Sequence, residues 1–178
     1  MEQPKNNLKI IADKKNARMI LPNMLTLIGV CIGLTSIRFA LDGKFEFAII
    51  AIILAAIIDG LDGRIARLIK GTSKVGKELD SLTDMISFGV APAFIMYFWK
   101  LNTLGRFGWL VCLIYVICVA LRLARFNINS NQEPSWRDNF FEGVPSPAGG
   151  ILILTPLIIS MTSFDYFKLN YTTVVQIF

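Results

Sequence analysis

Apolar residues in this chain come in long blocks separated by short polar breaks. The blocks run Ile20–Leu41, Phe45–Ile69, Leu79–Trp99 and Phe107–Phe126, and a fifth extends from the Pro145/Pro147 pair to near Phe164. Within the second, Glu46 is the only polar residue between Phe45 and Ile57. A helix needs roughly 20 residues to cross a hydrocarbon core of about 30 Å, and each block comes close to that length. Tyr171–Phe178 reads as the start of a sixth helix that stops too early to span. The period-two alternation of a membrane barrel is absent. Backbone in lipid must satisfy its own hydrogen bonds, so helices are the remaining choice. The pattern predicts an all-α fold: a polytopic integral membrane helical bundle of the six-helix type, with the last helix incomplete. No repeat, low-complexity tract or Gly/Ser linker divides it.

Composition agrees, since 54% of the 178 residues are apolar and only 17% charged. That balance fits neither a soluble domain nor a disordered chain. The basic residues add direction. With the N-terminus inside, thirteen of the eighteen Lys and Arg fall on the inner side and five on the outer, the bias that sets topology. The expected location is therefore the cell membrane, multi-pass, with the N-terminus facing the cytoplasm. Residues 1–19 form a basic juxtamembrane segment, of which 5–18 is expected to lie along the anionic inner leaflet or to serve as a topology signal alone, and 20–178 form the transmembrane domain. Membrane lipid, not nucleic acid, is the expected partner of these charges. No short apolar region with a small-residue cleavage site follows the basic stretch, so no signal peptide is expected.

Cys31, Cys112 and Cys118 sit inside the apolar blocks, which favours packing over disulfide or metal chemistry. There is no histidine. Any chemistry must run on carboxylates, arginines, hydroxyls and amides.

Such groups gather at one place. From Asp59 the chain reads D-x2-D-G-x2-A-R-x8-G-x3-D-x3-D, using Asp59, Asp62, Gly63, Ala66, Arg67, Gly76, Asp80 and Asp84. On a helix, residues three or four apart share a face, so Asp59 pairs with Asp62 and Asp80 with Asp84. The two pairs flank one short loop and are placed to meet. At about 1.5 Å per residue, Asp59 lies roughly 21 Å along its helix from Phe45, well inside the hydrocarbon edge. Four ionised carboxylates there would repel one another and cost several kcal/mol each to desolvate, so positive charge must join them. Oxygen-only ligands suit a hard divalent cation, Mg²⁺, Mn²⁺ or Ca²⁺, and four carboxylates suffice for two ions with bridging oxygens. Gly60, Gly63 and Gly76 cost helix stability, which suggests close approach of another helix or of a bulky anion. Salt bridges to Arg64 and Arg67 are the plainer alternative.

At every fixed position, the x8 gap included, this pattern resembles the signature of the CDP-alcohol phosphotransferase family. The resemblance implies a six-helix homodimer whose cytoplasm-facing site moves a phosphoryl-alcohol unit from a CDP-linked donor to an acceptor hydroxyl, releasing CMP. It implies that Asp59, Asp62 and Asp80 bind two divalent cations, Mg²⁺ or Mn²⁺, and that Asp84 adds a ligand or acts as general base. Gly63, Ala66, Arg67 and Gly76 would cradle the CDP moiety. The earlier LPNMLT, Leu21–Thr26, also looks like a family feature, in which Asn23 and Thr26 help hold the nucleotide.

Two further stretches narrow the acceptor. LRLARFN, Leu121–Asn127, and GVPSPAGG, Gly143–Gly150, together resemble the phosphatidylserine synthase branch of the family. This implies CDP-diacylglycerol and L-serine as substrates. Arginine binds carboxylate bidentately, which gives Arg122 and Arg125 a role toward serine or phosphate. Cations at a helix C-terminus also complement its dipole without any substrate. Ser146 and the helix start after Pro147 offer a possible anion site. A sister enzyme using glycerol 3-phosphate or an inositol phosphate is the alternative, with Arg122, Arg125, Arg137 and Lys74 available to a phosphorylated acceptor. A divalent-cation carrier is the alternative from another class, because intramembrane carboxylates also mark ion pathways.

Overall fold

The computed structural model describes residues 4–68, 74–129 and 143–175, without the side chains of 4–22, 66, 67, 74, 129 and 163–175. Every long element among the described residues is helical. Helix α1 runs Pro4–Leu41 and α2 Phe45–Leu68. Residues 74–99 form one helical path in three parts: α3 Lys74–Asp84, a π-helical turn Met85–Val90, and α4 Ala91–Trp99. Helix α5 spans Arg106–Asn129 and α6 Ser146–Val175.

Local chemistry sets the breaks. Gly43 adopts φ 74°, and the Lys44 and Gly43 amides donate to the carbonyls of Phe39 (2.9 Å) and Ala40 (3.1 Å). This left-handed glycine cap closes α1 and turns the chain straight into α2. Ala48, Ala51, Ile52 and Ala55 then form a buried stripe at helical spacing on α2. The small side chains of the three alanines let the backbones approach, as helix packing in membranes requires.

The wide turn also has a local cause. Pro92 has no N–H to give the Phe88 carbonyl four residues earlier, and its ring would crowd that oxygen in a regular helix. The chain widens instead, so that the Ala91 amide donates to Ile86, five residues back. The Phe88 carbonyl is taken up by the Tyr115 hydroxyl of α5 at 2.8 Å. Tyr115→Phe is accordingly expected to destabilise the protein by about 1–3 kcal/mol, the cost of a buried acceptor left unmade. Thermal unfolding in detergent micelles measures this, and an unchanged midpoint would mean that Tyr115 is dispensable to the turn.

Three helices converge on this turn, whose Ser87, Phe88 and Gly89 are buried. A Cβ at Gly33 of α1 would stand 2.5 Å from Ser87 Oγ and 3.0 Å from its Cα. At Gly150 of α6 it would stand 3.2 Å from Phe88 Cβ, and at Gly89 itself 3.2 Å from Val119 of α5. The core around it holds Ile52, Ala55, Ala91, Ile95, Leu154 and Leu157. Phe94, Tyr97 and Trp109 cluster edge-on at the α4–α5 connection, with Tyr97 and Trp109 centroids 5.3 Å apart. That is the end of the path opposite Asp80.

Asn23–Leu41, Val75–Trp99 and Arg106–Ile128 are long and apolar enough to cross a membrane. Helix α2 has the length, but Glu46, Asp59, Asp62 and Arg64 lower its apolar character. Ile114, Ile117 and Leu121 of α5 are exposed, as lipid-facing side chains would be. These features mark a membrane protein.

One expectation changes. No break separates a fifth helix ending near Phe164 from a sixth starting at Tyr171, because α6 continues through Val175. Phe164–Tyr171 contains neither glycine nor proline, and nothing there interrupts a helix. A sixth helix therefore has no counterpart among the described residues, and residues 176–178 lie outside them. Helix α1 starts at Pro4, inside the basic segment, and runs without a break into the first span.

Candidate functional site

Helix α2 carries Asp59 and Asp62, and α3 carries Asp80 and Asp84, on either side of the connection between them. One carboxylate oxygen each from Asp59, Asp62 and Asp80 lies within 4.8 Å of the others. Asp62 is buried, Asp59 half-buried and Asp80 exposed, so the cluster opens outward past Asp80.

Asp84 stands one helical turn beyond Asp80. The Ser146 hydroxyl and the Asp59 carboxyl are its hydrogen-bond neighbours, and the Arg122 guanidinium is close enough to act on its charge. Its Oδ1 is buried with no hydrogen-bond partner among the described residues. Arg122 donates through Nη1 to Ser146 Oγ at 2.8 Å, while its Nε is also buried and unpartnered. The chain bends into position for this contact at Gly143, whose φ of 90° excludes most other residues. A Cβ there would lie 3.8 Å from Arg122 Nε. Arg122 at the end of α5 and Ser146 at the start of α6 thus join the acidic cluster, whereas Arg125, three residues on, is exposed.

On α1, Asn23 is half-buried and Thr26 buried. Thr26 donates to Asp62 Oδ2 at 2.7 Å. This contact had no signal in the sequence, because the partners lie 36 residues apart on different helices. A second unread contact is the pair Ser81 and Asn127: the Asn127 amide donates to Ser81 Oγ at 3.0 Å, tying α3 to α5 beside Asp80. Asn127 closes the LRLARFN stretch, but its polarity alone named no partner.

The donor set fits a divalent cation. Three oxygens this close, with ligand distances of about 2.1 Å for Mg²⁺, can be drawn onto one ion, and a fourth carboxylate oxygen lies buried without a partner alongside. Among the described residues the one ion pair is Arg38 with Asp42, and Arg64 is exposed. Among the described residues, a Cβ at Gly60 or Gly63 would meet nothing within 4 Å. Gly76 lies in α3. The side chains of Ala66, Arg67 and Lys74, and all of Arg137, lie outside the described residues.

The family model for CDP-alcohol phosphatidyltransferase matches residues 19–177. A CDP-diacylglycerol–serine O-phosphatidyltransferase of Mycobacterium leprae is 46% identical over 144 residues, covering 80% of this chain and 48% of that protein. Proteins of the same description from Helicobacter pylori strain 26695 and Bacillus subtilis are 42% and 36% identical. They cover 78% and 75% of this chain, and 57% and 73% of their own lengths. The chain thus spans about half the length of the mycobacterial relative.

Proposed function

The chain belongs to the CDP-alcohol phosphatidyltransferase family, and from that premise we propose that it transfers the phosphatidyl group of CDP-diacylglycerol to the hydroxyl of L-serine, giving phosphatidylserine and CMP. One observation carries the reading beyond the relatives' descriptions. The carboxylates of Asp59, Asp62 and Asp80 converge where Arg122, through Ser146, reaches Asp84. A metal-binding face and an acceptor-binding face therefore share Asp84.

Asp59, Asp62 and Asp80 hold the divalent cations, two of Mg²⁺ or Mn²⁺, with Ca²⁺ as a further candidate. When bound, the cations neutralise the donor diphosphate and stabilise the charge that develops on the departing CMP. Asn23 and Thr26 on α1, with Gly63, Ala66, Arg67 and Gly76, cradle the CDP moiety. The open space beside Gly63 leaves room for it. Arg122 receives the serine carboxylate, its unpartnered Nε supplying a donor beyond the one engaged with Ser146. Arg125 supports it from the exposed side.

Asp84 is the base. Its unpartnered Oδ1 accepts the proton of the serine hydroxyl as that oxygen attacks the β-phosphorus. The new P–O bond forms as the bond to CMP breaks, and the proton passes from Asp84 to solvent. The site and the N-terminus face the cytoplasm, in line with the distribution of Lys and Arg. Residues 5–18 lie against anionic lipid, and the enzyme acts as a homodimer.

The test is CMP release by purified protein from CDP-diacylglycerol with Mg²⁺ or Mn²⁺, comparing L-serine, glycerol 3-phosphate and inositol phosphate. Release that depends on serine is expected. Release with a phosphorylated acceptor instead would move the protein to a sister activity, and none from folded protein would remove the enzymatic reading.

A further inference from the structure

Thr26 makes a contact that nucleotide binding does not require. Resting on the metal reading above, we propose that Thr26 is a positioning residue for Asp62, fixing which of its carboxylate oxygens is presented to the cation.

Both partners are almost fully buried, Thr26 at 5% exposure and Asp62 at 3%. Their oxygens stand 2.7 Å apart, in the short range of a hydroxyl bonded to a carboxylate. The contact also joins two helices. Thr35, Thr83, Thr155 and Thr162 donate to the carbonyl four residues back on their own helices. Thr26 reaches from α1 to α2. The helices are close at this level: a Cβ on Gly29, less than a turn further along α1, would lie 3.6 Å from Thr83 and 3.9 Å from Ile58.

A carboxylate turns readily about its last torsion, whereas a β-branched threonine on a helix has few rotamers. With Oδ2 held by the stiffer partner, the torsion of Asp62 is fixed and Oδ1 takes one direction. Outer-shell partners of this kind orient metal ligands, and losing one typically costs 10–100-fold in metal affinity. Asp62, the most buried of the three clustered acids, is the ligand that solvent can least help to orient.

The experiment titrates Mn²⁺ into purified protein in detergent without nucleotide or lipid substrate, by calorimetry or electron paramagnetic resonance. It compares the parent with Thr26→Val, Thr26→Ala, Thr26→Ser and Asp62→Asn. Val keeps the shape of threonine without its hydroxyl, Ala removes the same group without branching, and Ser retains it. Mn²⁺ affinity is expected to fall about 10–100-fold in Val and Ala and to stay near the parent's in Ser. Unfolding midpoints show which variants are folded and enter the comparison. Parent-like Mn²⁺ affinity in folded Val or Ala overturns the inference and leaves the metal reading intact. The same holds if only the KM for CDP-diacylglycerol rises, which would return Thr26 to nucleotide binding. A parent that binds no Mn²⁺, or whose binding survives Asp62→Asn, overturns the assignment of Asp62 as a ligand and this inference with it.

Discussion

Asp84→Asn is expected to lower serine-dependent CMP release by about 10²–10⁴-fold, the range that a positioned general base contributes. The substitution nearly preserves shape, and an amide oxygen still accepts from Ser146. What it removes is the ability of the buried, unpartnered Oδ1 to take a proton. Steady-state CMP release at saturating serine measures the effect as a loss in kcat. Turnover within tenfold of the parent would sink the assignment. Mn²⁺ titration separates the two roles open to Asp84: a base loses kcat with metal affinity largely kept, and a ligand loses both, as Asp62→Asn is expected to do.

Gly33→Val is expected to destabilise the membrane core by about 3 kcal/mol or more, the upper end of overpacking costs. A Cβ at this position meets Ser87 Oγ at 2.5 Å, its Cβ at 2.9 Å and its Cα at 3.0 Å. Ser87 is fully buried in a turn gripped from other sides by α5 and α6, so the backbone has nowhere to retreat. Gly60→Ala is the matched control. Its Cβ meets nothing within 4 Å, and replacing a helical glycine by alanine there is expected to be neutral or to stabilise by up to about 1 kcal/mol. Thermal unfolding and size-exclusion profiles in detergent compare them. Equal midpoints for both variants would mean that α1 does not press on the turn as described.

These examples show what could be read along the chain. Apolar blocks announced the helices, and acids at three- and four-residue spacing announced the cluster, because both are local, periodic signals. Arg122 and Ser146 were legible through their motifs. The bond between Thr26 and Asp62 and the pairing of Ser81 with Asn127 join residues 36 and 46 apart, and no local pattern encodes such a meeting. The sixth helix was misplaced for a different reason. Asp165, Lys168 and Asn170 interrupt the hydropathy, but polar residues end an apolar run without ending a helix. Pro92 was visible, yet its effect depends on a tyrosine from another helix donating its hydroxyl to the displaced carbonyl.

The widened turn between α3 and α4 also acts as a phase shift. Each residue of a regular helix advances about 100° around its axis, so wider winding between Asp84 and Ala91 changes the angular relation between the acids and everything after them. The half of the span that carries Asp80 and Asp84 can aim at α2 while the half that carries Ile95 and Met96 independently meets the core. Regular winding over the same residues would turn one half against the other by up to roughly that angle. Composition and hydropathy would be untouched, and yet the acids and the core could no longer both be satisfied. In this span, how the chain winds between the two halves is as much a determinant of the site as the aspartates themselves.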